Sequence, residues 1–375
     1  MGIESNWCSC TKCHAGYGWK DASFDFSQAE AIDCLICHDT TGTYAKNKNS
    51  CGIPNDSVDL AAVAKSVGTP QRENCGSCHW YGGGGDNVKH GDMCSTLEEP
   101  PRRHDIHMGG LNMTCQECHT TENHRVAGRS TTSSASEGKV SCRDCHSDAP
   151  HDQSSQVLHR LNTHGDAIAC QTCHIPKYAK QSKTVTLWDW SQSGKADKRL
   201  KQNEKMTKML SKKKGLLVKE KDLRPAYFWY NGTHQRYLKG DPVDLNGVTE
   251  LNAPVGSIED SGAKITPFKL MRGVEPADPK FGYLIVPKLF GEGYFKHFDL
   301  QKAAADGMEA AGLEYSGGIR FVETLMYWRI NHEVAPKNEA LSCLDCHHHD
   351  GVMDFKALGY KGDPAVVGGR DIDSP

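Results

Sequence analysis

Aromatic residues are scarce, 8% of a 375-residue chain, and apolar residues reach only 37%. An ordinary side-chain core is therefore thin for a chain long enough to form one large domain or two medium ones. No long apolar run exists. Runs such as that around Tyr283–Val286 are far short of the roughly 20 residues a membrane helix needs. Neither sign of charge dominates: 44 Lys and Arg stand against 47 Asp and Glu, for a net charge of −3. That balance, with a pI near 6.7, argues against a nucleic-acid partner. The pattern of parallel βαβ units is missing as well, which excludes a Rossmann-type domain. Met1–Trp7 lacks the basic stretch, apolar run and small-residue cleavage site of a secretion signal.

Cysteine is what the chain has in excess, 17 in all. Fourteen fall into seven copies of Cys-x-x-Cys-His: Cys10-Cys13-His14, Cys34-Cys37-His38, Cys75-Cys78-His79, Cys115-Cys118-His119, Cys142-Cys145-His146, Cys170-Cys173-His174 and Cys343-Cys346-His347. Two thiols three positions apart form thioethers to the two vinyl groups of one haem, and the adjacent imidazole ligates its iron. A zinc site would not demand a His after every second Cys. A disulfide framework belongs to much shorter chains. The sequence reads as a multihaem c-type cytochrome with seven covalent haem c groups.

Seven large apolar plates also supply the missing core. The expected fold is therefore mainly α and irregular, packed around haem, with few short strands. Haem c is attached outside the cytoplasm, so a periplasmic or otherwise exported protein is expected, its leader and an upstream piece missing from this sequence.

Six motifs lie before residue 175 and one near the C-terminus. This divides the chain into a haem-dense region 1–180, a haem-poor α and irregular region 181–335, and a C-terminal haem region 336–375. Asp59–Val67 and Asp152–Asn162 read as short helices, Thr131–Ser136 as a surface loop, and Thr184–Trp190 as a short strand. Asp197–Lys214, Leu300–Ala311 and Ile319–Ile330 read as helices. Basic residues crowd Lys195–Lys221 against only Asp197, Glu204 and Glu220. That is either a solvated face or a surface steering an acidic electron donor or an anionic substrate.

Removing the motif histidines from the 19 leaves twelve: His90, His104, His107, His124, His151, His159, His164, His234, His297, His332, His348 and His349. A haem with two axial imidazoles is closed and suits electron transfer. His90, His107, His124, His151, His164 and His332 are the expected sixth ligands. The segment Tyr81–Asp92 carries four consecutive glycines, expected to let backbone approach a flat cofactor. Asp86, Lys89 and His90 follow. Lysine ligates iron only as the neutral amine, so from its residues alone Asp86–Lys89 reads more simply as a surface pair. Of the cysteines outside motifs, Cys51 and Cys94 could pair, and Cys8 could approach an iron.

Several blocks resemble the octahaem tetrathionate reductase family of periplasmic cytochromes: His14–Asp21, Cys34–Gly42, the tetraglycine segment through Asp92, Ile106–Gly109, Tyr227–Gly232, Lys264–Phe268, Tyr315–Gly317 and Trp328–Lys337. The resemblance covers nearly the whole chain. It implies an array of bis-His haems feeding one catalytic haem, whose sixth ligand is a lysine. By motif that haem is the one on Cys10, Cys13 and His14, the lysine is Lys89, and its companion acid is Asp86. The family has eight attachment motifs and a cysteine near the active haem. Here the eighth motif would lie upstream of Met1, and Cys8 is the nearest stand-in.

The implied activity is reduction of small sulfur or nitrogen oxyanions (tetrathionate, nitrite, hydroxylamine) with electrons from a donor cytochrome or a quinol-linked partner. The competing reading is an electron conduit with no catalytic site of its own. Oxidation of hydroxylamine ranks third.

Overall fold

In the computed structural model, residues 3–47, 49–127 and 141–370 are described. The loop expected at Thr131–Ser136 lies outside them.

The haem-dense region holds short helices and turns. Many of the helices coincide with attachment motifs: Leu35–His38, Arg72–His79, Cys142–His146 and Cys170–His174, with Cys343–Cys346 near the C-terminus. Three motifs begin with a capping box that the sequence spells out. Thr114, Ser141 and Ser342 each precede the first Cys, and Glu117, Asp144 and Asp345 follow three residues later. In the last of these, Asp345 Oδ2 accepts from both Ser342 N and Ser342 Oγ at 2.7 Å. The box fixes a helical start, so the two cysteines project one turn apart on one face.

The expectation of a mainly α and irregular chain with few strands is wrong. A ribbon of β1 (Thr121–Glu122) and β2 (Arg125–Val126) precedes a nine-stranded mixed sheet. Its strands are β3 (Thr184–Asp189), β4 (Lys198–Gln202), β5 (Met206–Ser211), β6 (Gly215–Glu220), β7 (Ala226–Tyr230), β8 (Val248–Glu250), β9 (Lys264–Asp278), β10 (Tyr283–Leu284) and β11 (Arg320–Arg329). The order is β4-β5-β6-β3-β9-β11-β8, with β7 and β10 also on β9. Two pairs are parallel, β3 with β9 and β11 with β8; the others are antiparallel. The strand at Thr184–Trp190 is found as β3, and the helix at Leu300–Ala311 as Leu300–Ala310.

Two expected helices are strands. Asp197–Lys214 is rich in helix-favouring Lys, Met and Leu, yet it folds as β4 and β5 around a turn at Asn203. Asn203 Oδ1 accepts from Lys205 N and Met206 N there. Ile319–Ile330 is β11, between β9 and β8. Val322, Thr324, Tyr327 and Trp328 along it are buried, on both faces of the strand. A strand covered on both faces shows no alternation, so an apolar run of this kind cannot be told from a helix by period.

One buried cluster joins the sheet to the tetraglycine loop. Val185, Trp188, Leu217, Met271 and Trp328 of the sheet close around Val88 of that loop. The sheet is thus the floor on which residues 88–92 rest.

Candidate haem ligands and active site

The fourteen motif thiols are all free of disulfides. They form one connected, branched array. Cys13 lies beside Cys78, Cys75 beside Cys115, and Cys142 beside Cys170, each close enough to perturb the other. Cys37 lies within electrostatic reach of Cys75 and Cys78, Cys118 of Cys145, and Cys173 of Cys343. All seven attachment points are linked in this way.

Five motif imidazoles face a second imidazole at nearly one separation. Ring centroids lie 6.2 Å apart for His38–His124, 6.0 Å for His107–His146, 6.2 Å for His119–His332, 6.3 Å for His151–His174 and 6.3 Å for His164–His347. Rings in direct contact would be closer. A metal about 2 Å from each ring nitrogen requires about this gap. Five of these ten rings are also anchored through Nδ1, which donates to an oxygen: His38 to Gly68 O (2.8 Å), His151 to Asn162 Oδ1 (3.1 Å), His164 to Arg160 O (2.8 Å), His332 to Asp92 Oδ2 (3.2 Å) and His347 to Asp363 Oδ1 (2.6 Å). A proton fixed on Nδ1 leaves the Nε2 lone pair for a metal. His124 and His151 each follow a motif His by five residues and face the imidazole of a different motif.

His14 and His79 have no such partner among the described residues. His14 meets the Trp19 ring edge-on at 4.6 Å, and its carbonyl accepts from Lys46 Nζ at 3.1 Å. His90, expected as a sixth ligand, faces no imidazole at ligating separation. It sits edge-on to Trp328 at 4.9 Å, within electrostatic reach of His79 and His332. Burial lowers its pKa to about 4, so it is a neutral donor.

Lys89 and Asp86 do not form the surface pair that their residues alone suggested. Both Asp86 oxygens are held by Ser95, Oδ1 by its N–H at 2.9 Å and Oδ2 by its hydroxyl at 2.6 Å. Lys89 Nζ has no hydrogen-bond or ion-pair partner among the described residues. It lies 5.7 Å from the Trp328 ring, and burial lowers its pKa, opposed by Glu275. The buried Trp328 Nε1 is also without an acceptor. A half-buried amine and a buried indole N–H, both lacking partners among the described residues, fit a site completed by another group.

Two of the glycines make room for the chain's own side chains. At Gly83 (φ +82°) a Cβ would fall 2.3 Å from Lys89 Cδ, and at Gly84 (φ +123°) 3.1 Å from the Trp188 ring. The space they free is taken by the Lys89 stem and by Trp188. The disulfide expectation is also corrected: Cys8 pairs with Cys51, which removes Cys8 as a free thiol near an iron. Cys94 is free and fully buried.

Sequence reasoning missed Asp92 and Lys269. Asp92 is buried and accepts from Asn331 N at 2.7 Å, His332 N at 2.9 Å and His332 Nδ1. Burial pulls the His332 pKa down, but the Asp92 carboxylate outweighs it and the pKa rises. Lys269, on β9, is fully buried against the backbone of the same loop. Only the proximity of Asp92 to the tetraglycine segment signalled either residue. His104 is no free donor through Nε2, which pairs with Glu333 Oε1 at 2.8 Å inside the fold.

The family described as cytochrome c7 and related cytochrome c matches residues 101–175, and that described as bacterial cytochrome c matches 185–350. An uncharacterised protein of Archaeoglobus fulgidus is 28% identical over 159 residues, 37% of this chain and 53% of that one. The chain thus spans about half the length of that curated relative. The crystal structure of octahaem cytochrome c from Shewanella oneidensis superposes with a TM-score of 0.89 at 46% identity, over 97% of this chain and 83% of that one. Among the described residues no helix is long and apolar enough to cross a membrane. With its Cys-x-x-Cys-His array and its imidazole pairs, the chain belongs to the octahaem c-type cytochromes, redox proteins that carry covalent haem c.

Proposed function

We propose that this chain is an exported reductase of small sulfur or nitrogen oxyanions, with haems on its seven attachment motifs. The observation that carries the reading is the division of the ligand set. Five motif histidines face a second imidazole; two, His14 and His79, do not. Two half-buried donors, Lys89 and His90, stand consecutively in the loop beside them. The two unpaired motifs adjoin through Cys13 and Cys78. Consecutive side chains of a non-helical segment diverge, so one donor serves each haem. His90 is within electrostatic reach of His332 and His79; His332 already faces His119, so His90 is assigned to His79, which leaves Lys89 for the haem of His14.

Bound on these residues, haem supplies one-electron transfer along the array and, where the amine yields, a metal centre open to substrate. The chain does the rest. Nδ1 anchors hold the paired imidazoles rigid. Lys89 Nζ, where it is not a ligand, would carry a proton and face a bound oxyanion. Asp86, oriented by Ser95, keeps lone pairs to accept a proton. The electron donor is a cytochrome or quinol-linked partner, and the natural substrate is anionic or an N-oxide.

The test is a ligand titration of the haem-loaded protein with nitrite, cyanide and hydroxylamine, followed optically. Reaction at one haem, abolished or altered by Lys89→Ala, supports the reductase. Inert low-spin haem throughout marks an electron conduit instead.

A further inference from the structure

We propose that Lys269 is a positioning residue for Lys89: its buried amine grips the carbonyls on either side of that residue's nitrogen and so fixes the direction in which the Lys89 side chain leaves the backbone. The inference rests on the reading of Lys89 as an iron ligand.

Lys269 is 0% exposed, which is rare for lysine without a carboxylate partner. Among the described residues it has no ion pair. Its three donors go instead to Val88 O at 2.9 Å, to Lys89 O at 2.6 Å and to the Thr184 hydroxyl. Thr184, buried on β3, in turn lies 3.4 Å from Val88 O. The loop has little regular hydrogen bonding of its own, so without Lys269 the Lys89 carbonyl would be stranded in the core and Val88 O left with the long Thr184 contact alone. A Met or Leu would fill the same space and leave the Lys89 carbonyl unpaired.

The neighbours show that the grip is directed at residue 89. Lys269 on β9 pairs directly with Trp328 on β11. One member of that pair holds the Lys89 carbonyl, and the other lies beside the Lys89 amine. Gly91 (φ +95°) makes room for the grip, because a Cβ there would fall 2.8 Å from Lys269 Cδ. Gly83 makes room for the Lys89 stem. Residues from two loop positions and two strands therefore converge on one side chain.

The experiment compares haem-loaded wild type with Lys269→Met, Thr184→Val and Lys89→Ala, each normalised to haem content by pyridine haemochrome. Low-temperature EPR and cyanide titration are read for every haem. Lys269→Met is expected to alter the one signal that Lys89→Ala alters and to strengthen cyanide binding there by tenfold or more, leaving the other haems unchanged. Thr184→Val is expected to give a smaller change at the same haem. If Lys269→Met fails to mature, Thr184→Val alone decides the matter. Wild-type spectra and cyanide affinity in the strand variants, beside a changed Lys89→Ala, would overturn the positioning role and leave the ligand standing. An unchanged Lys89→Ala spectrum would remove the ligand, and this inference with it.

Discussion

Replacing Asp92 by Asn removes one buried negative charge while keeping the shape of the site. The carboxylate lies 3.2 Å from His332 Nδ1, and a metal on the far ring nitrogen would be roughly 7 Å from it. At an effective dielectric of about 20, a unit charge at that range is worth about 2.4 kcal/mol, or roughly 100 mV for a one-electron couple. The lost charge favoured the oxidised metal, so the potential of the haem between His119 and His332 should rise. The remaining amide dipole offsets part of this, leaving an expected rise of roughly 50–100 mV. The asparagine oxygen can still accept from His332 Nδ1, so the ligand set should persist. The assay is a redox titration followed by EPR, in which each low-spin haem is resolved. A shift below about 20 mV, a fall in potential, or an equal shift at every haem would refute the role of Asp92 as an electrostatic partner of His332.

Gly83→Ala should displace the Lys89 stem, since the new Cβ would meet it at 2.3 Å. The expected result is a changed spectrum and easier cyanide binding at one haem; an unaltered spectrum would show that Gly83 does not seat Lys89. Lys46 and Asp33 form a buried pair at 2.7 Å, with side chains 4% and 0% exposed. Lys46→Met should therefore cost about 3–5 kcal/mol in denaturant unfolding, with part regained on adding Asp33→Asn; a loss below about 1 kcal/mol would count against it. Burial pushes the Cys94 thiol up to about 11, so it stays protonated at neutral pH. In the folded haem-loaded protein it should resist iodoacetamide at pH 8, checked by mass spectrometry, and rapid labelling would contradict its burial.

The haem attachment was legible because Cys-x-x-Cys-His is local: thiols and imidazole lie on one turn, and the spacing alone carries the chemistry. Long-range partners were less so. His124 and His151 face rings 86 and 23 residues away, the differences from His38 and His174, and no local rule selects those rings. The sheet escaped notice for a related reason. Its long strand β9 contains Pro267 and Pro276, and β11 is buried on both faces, so neither alternates. Asp197–Lys214 has strong helix propensity, and pairing with β6 overrides it. Misreading the sheet hid the most consequential link. Lys269 and Trp328 lie 59 positions apart and adjoin only because β9 and β11 pair, and the tetraglycine loop takes its shape from that floor.

The most direct test of the account is a crystal structure of the haem-loaded protein. It is expected to show Lys89 Nζ on the iron opposite His14 and His90 on the iron opposite His79, with Lys269 still bonded to the Lys89 carbonyl. An imidazole on the His14 iron, with the Lys89 amine turned away from any metal, would contradict it.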